Sequence, residues 1–149
     1  MRHPVSIVDV IDAVRDRILA QPLRQAVGDE TGWREQPTMD TESQSFLWAH
    51  ATFAIIPGDV VYGDRARTGC RAKADFGVVL LMNARATDPD HQQDLRAALR
   101  GAEDIRGALT ADVGDIALRV FSVGLTAYDP ERGLFILGVA VEAIFEAGG

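Results

Sequence analysis

Apolar residues recur near the start of the chain at helical spacing. Ile7, Ile11, Val14 and Ile18 form a stripe, while Asp9, Asp12 and Asp16 fall on the opposite face, so an amphipathic helix is predicted over Ser6–Ala20. Ser6 is a natural N-cap and Pro22 stops the helix. The acidic face reads as solvated, the alternative being an acidic surface presented to a partner. From Gly28 to Ser45 the chain is polar, carries Gly32 and Pro37 and has no usable period; a long loop is expected. Aromatic and β-branched residues from Phe46 to Ile56, stopped by Pro57-Gly58, predict a strand.

A second loop, at about 57–70, carries Gly63, Arg65, Arg67 and Gly69. It leads to a strand over Arg71–Asn83 in which Ala74, Phe76, Val78, Leu80 and Met82 share one face. Together these segments predict a long hairpin with an arginine-bearing tip. Asp88-Pro89-Asp90 is a helix start, and Leu95, Ala98, Leu99, Ala102, Ile105 and Leu109 then fall on one side. Gly101 and Gly107 weaken such a helix by up to about 1 kcal/mol each relative to alanine, which points to close packing. Two further strands, Ile116–Tyr128 and Leu134–Glu146, flank the turn Asp129-Pro130-Glu131-Arg132-Gly133. In the last strand Phe135, Leu137, Val139, Val141, Ala143 and Phe145 form the inward set, and the small opposite face with Gly138 and Ala140 suits close approach of another sheet or subunit, or marks a bulge. The order α-β-β-α-β-β predicts an α+β fold: a mostly antiparallel sheet with two helices on one face.

Composition sets the class. The chain has 149 residues, 47% apolar and 25% charged, which fits one folded domain. One cysteine, Cys70, excludes an internal disulfide, and no basic stretch with an apolar run opens the chain, so a reducing compartment is expected. No apolar run reaches the roughly 20 residues a bilayer span needs. A net charge of -7 disfavours a nucleic-acid-reading surface. Lys73 is the only lysine among the basic residues, the rest being arginine; this reflects either codon bias or a use for bidentate pairing across interfaces.

Catalytic or metal chemistry has little to stand on. Cys70 lies between Arg67 and Arg71, which favour the thiolate, but no base is paired with it in sequence. His3, His50 and His91 are scattered without metal-ligand spacing, the aspartates of 88–94 lack a calcium loop's glycine and glutamate, and no glycine-rich phosphate loop follows a strand. No catalytic residue, cofactor or metal is therefore assigned. A ligand-binding or enzymatic reading would have to use His50, Asp75 or Arg119 in a pocket between helices and sheet. Trp33 is either a plug on the domain itself or an interface anchor.

The succession of an amphipathic helix, a long polar loop, a long-tipped hairpin, a second helix and the closing hairpin RVFSVGLTAYDPERGLFILGVAVEAIFE resembles the tail terminator proteins of long-tailed bacteriophages. The resemblance covers nearly the whole chain and rests on length, pattern and the turn at Tyr128–Gly133. It implies a virion subunit, assembled in the bacterial cytoplasm, of a hexameric ring that caps the tail tube and joins it to the neck of the head. Its partners would be other copies of itself, the tube protein and a head-completion protein, with DNA passing through the lumen without specific binding and no membrane involved. Another head-tail joining or tail-completion subunit is the alternative within that class. The family assigns no contacts residue by residue; the interface candidates, read from composition, are Arg65, Arg67, Arg71 and Trp33.

Overall fold

The computed structural model describes residues 5–27, 30–35, 51–66, 69–83, 92–129 and 133–147. Two helices and seven strands are present among them: α1 (Ile7–Ala20), β1 (Pro22–Val27), β2 (Glu30–Gly32), β3 (Arg34–Glu35), β4 (Ala51–Ala66), β5 (Gly69–Asn83), α2 (Gln92–Ala108), β6 (Ala117–Asp129) and β7 (Leu134–Ala147). The fold is α+β, as the pattern predicts. The main sheet has the order β3-β4-β5-β7-β6, and β1-β2 form a separate hairpin. Every pair in the main sheet is antiparallel except β3 with β4, which is parallel.

Helix α1 starts where its cap chemistry requires. The Asp9 N–H donates to Ser6 Oγ at 3.2 Å and the Ser6 N–H to Asp9 Oδ2 at 2.9 Å, a reciprocal capping box. Gln21, the residue before Pro22, is extended, as the proline ring demands. The buried stripe is Val10, Val14 and Ile18, with Ile7 and Ile11 only half-buried. It is thus rotated from the predicted one, because the sheet beneath, not the spacing alone, chooses which neighbouring row is covered.

The expected loop over Gly28–Ser45 is corrected in part: Glu30–Gly32 and Arg34–Glu35 are strands, and residues 36–45 lie outside the described residues. Short polar strands of this kind carry no hydrophobic alternation to betray them. The predicted strand start at Phe46–His50 also lies outside the described residues, as does the helix start Asp88-Pro89-Asp90.

Pro57-Gly58 does not end its strand. β4 continues to Ala66 opposite β5, with register shifts between Pro57 and Val60 and between Tyr62 and Arg65, so the loop expected at about 57–70 is largely a paired ladder. Proline is tolerated at such an irregular place on an outer strand. Gly58 is required by close approach, since a Cβ there would lie 2.6 Å from the Asp75 carbonyl oxygen.

The core lies between helices and sheet. Ala98, Ala102, Ile105 and Leu109 of the α2 segment join the α1 stripe and the inward rows of β5 and β7 in one cluster. All six predicted inward residues of β7, from Phe135 to Phe145, are buried. Leu95 and Leu99, predicted on the buried side of α2, are exposed instead, so the covered row is the one through Ala98, Ala102 and Ile105. At Gly101 α2 packs tightly: a Cβ would meet Met82 Sδ at 3.2 Å and Trp33 Cζ2 at 3.4 Å. Arg17 ties the helices together, donating to the carbonyls of Ala108 (3.0 Å), Ala111 (2.8 Å) and Asp112 (2.6 Å). It thereby serves the terminal carbonyl of α2 that has no partner within the helix.

Candidate assembly surfaces

Helices cover one face of the sheet; on the other, Thr52, Ala54, Leu81 and Leu134 are buried at one end, while the middle is small-sided and only partly buried among the described residues. Alternation along β5 and β7 sends Gly77, Val79, Gly138 and Ala140 to this second side, where Ser122 and Gly124 of β6 join them around a shallow depression of about 340 Å³. Cβ atoms built on Gly77 or Gly124 would meet nothing within 4 Å. Gly138 differs: the Thr126 hydroxyl of the neighbouring strand already stands 3.3 Å from where its Cβ would be. The small side chains thus leave a smooth surface, part of it taken up by the chain itself.

Further along the same face the surface turns polar. Glu142 is 5% exposed and its Oε2 lies 3.0 Å from Lys73 Nζ. Asp75 and Arg119 are its register partners on β5 and β6. The Lys73 ammonium is held above the usual lysine range, first by its hydrogen bond to Glu142 and then by the attraction of that carboxylate. Asp75 and Arg119 therefore sit opposite the helix-covered face, while the space between helices and sheet is filled by apolar side chains. A pocket there built on these residues, with His50 outside the described residues, gains no support.

The predicted interface residues are separated. Trp33 is 4% exposed and belongs to the core; as an interface anchor it is corrected to a plug, because Gly101 leaves the space its indole fills. Arg65 and Arg71 lie on paired strands at the far end of the β4-β5 hairpin, where Arg65 aligns with Cys70, and Arg71 is exposed. Arg67 lies outside the described residues. Cys70 itself is buried. Among the described residues no group of three or more His, Cys, Asp or Glu side chains converges as a metal site, and no helix is long and apolar enough to cross a membrane.

Residues the sequence reading missed lie at the sheet's two borders. On β4, Val61 and Tyr62 are 61% and 60% exposed. On β6, Phe121 is 52% exposed, with Leu125 and Tyr128 also outside. A register shift between Val120 and Ser122 leaves Phe121 as an extra residue, and such a bulge re-aims its side chain. Arg119 covers one side of that ring, its guanidinium carbon 4.9 Å from the centroid. On the helix side of β6, Leu99, Glu103 and Arg106 of α2 face Phe121 and Val123 across a cleft of about 610 Å³. The broken alternation of β6 was the available signal, but it is equally a sign of an ordinary edge.

Models of known protein families match no part of this chain, and no curated protein is significantly similar to it.

Proposed function

We propose that this protein is a structural assembly subunit, working as a tail terminator: a ring that caps a phage tail tube and joins it to the neck. The observation that carries the reading is the small-sided, shallow middle of the sheet face opposite the helices. A domain that keeps the middle of one side of its sheet small-sided and shallow, while both helices pack on the other, has a surface suited to face a lumen or a neighbour rather than to enclose a substrate. The net charge of -7 agrees with a channel that must not hold phosphates. The order of elements and the closing hairpin support the same family.

The test is assembly with tail tubes. Purified protein added to uncapped tubes should stop their elongation and form a ring at one end in negative-stain images. A variant with Arg65→Glu and Arg71→Glu at the hairpin end should keep the wild-type melting temperature while losing attachment, since arginine pairs bidentately with carboxylates of an adjacent ring. Tubes that grow equally with and without the protein would refute the reading.

A further inference from the structure

Both borders of the main sheet offer unpaired backbone, and they run in opposite directions. Among the described residues β6 pairs only with β7, and β4 beyond Phe53 pairs only with β5. Since β4, β5, β7 and β6 alternate in direction across the sheet, β4 and β6 are antiparallel to each other. A second copy placed in the same orientation therefore sets its β4 beside this β6 as a further antiparallel pair, with helices again on the same side. Exposed edges of this length are a template for pairing with another chain, although the shifts at Pro57/Val60, Tyr62/Arg65, Val120/Ser122 and Leu125/Ala127 interrupt them.

Side chains at the two borders match as well. Tyr62 aligns with the inward-facing Ala72, so it stands on the helix side of β4, exposed. The cleft beside β6 lies on that same side, with Leu99, Phe121 and Val123 as apolar wall and Glu103 and Arg106 as polar end. A tyrosine has an apolar body and a hydroxyl that needs a partner, and it is a frequent anchor at interfaces.

We propose that copies of this chain join head to tail through sheet continuation, β4 of one copy adding to β6 of the next, with Tyr62 of the first seated in the α2–β6 cleft of the second. The contact is heterologous, so it propagates from copy to copy, and it closes into a ring where the rotation between neighbours divides a full turn. It rests on the ring-forming part of the function proposed above and names the surfaces that make the ring. The bulge at Phe121 interrupts the added ladder, which leaves Ala117–Val120 and Ser122–Leu125 as the pairing stretches.

The experiment uses the full chain and two variants, Tyr62→Glu and Phe121→Arg, both at exposed positions. Light scattering after size exclusion should give a closed oligomer for the unaltered protein and a monomer for each variant, with melting temperatures unchanged. An equimolar mixture of the variants should give a dimer and nothing larger, because one variant retains an intact tyrosine and the other an intact cleft. A monomeric unaltered protein at all concentrations, variants that still assemble, or a mixture that stays monomeric would each overturn the proposal. Rings that depend on these residues yet cap no tube would leave the edge contact standing and remove the tail terminator reading. Normal tube capping by either variant would do the reverse.

Discussion

Lys73 and Glu142 meet across the β5–β7 ladder, ammonium to carboxylate at 3.0 Å, and the carboxylate is buried while the lysine is half-exposed. The lysine is thus what compensates a charge on the otherwise smooth sheet face. Replacing Lys73 with methionine should lower stability, because Glu142 stays buried without its cation. The double variant Lys73→Met with Glu142→Leu should recover much of the loss. Denaturant melts of the three proteins would check this, and a single variant as stable as the parent would contradict it.

The pair also sets a pH dependence. The folded-state pKa of Lys73 is raised, so its contribution is complete below the ordinary lysine value of about 10.4. That contribution is lost as pH rises through the folded value. Stability should therefore fall in alkaline solution more steeply for the parent than for the double variant, as followed by thermal melts between neutral and strongly alkaline pH.

Trp33 should behave as a core residue. Trp33→Ala is expected to cost about 3–5 kcal/mol in denaturant unfolding, whereas an interface role would leave the monomer's stability unchanged. Gly101→Leu, which drives a side chain into Met82 and Trp33, should cost about 1–3 kcal/mol through overpacking.

Arg17 should hold the end of α2. Its guanidinium serves three backbone carbonyls, and charged hydrogen bonds of this kind contribute about 1.5–3 kcal/mol. Arg17→Met should lose on that order, and lysine should restore little because its single ammonium cannot span the three acceptors. Hydrogen exchange at the amides of Ala108–Asp112 would show whether the loss is local.

Removing Leu134–Gly149 should abolish cooperative folding. β7 is an interior strand, paired to β5 on one side and β6 on the other, so its loss separates β6 from the rest of the sheet and empties the core of Phe135, Leu137 and Val139. A truncated chain that still melts cooperatively would contradict this placement.

Local pattern determined a large part of this protein. The capped start of α1, the alternation of β5 and the entire inward row of β7 were legible in the sequence, because period and cap chemistry depend on residues close together in the chain; of the two glycines expected at close packing, Gly101 meets it and Gly107 meets nothing within 4 Å. The α+β class followed from the order of the elements. Tertiary structure alone decided what depends on position across the sheet. Phe135 and Phe121 both occupy strands rich in apolar residues, yet one is buried and the other exposed, because among the described residues β7 has neighbours on both sides and β6 on only one. Trp33 sits in a polar segment and is core because tertiary packing brings it against α2 at Gly101. The borders of the sheet, and with them the cleft beside β6, arise from pairings between residues distant in sequence, and no local period encodes which strand will be left at the edge.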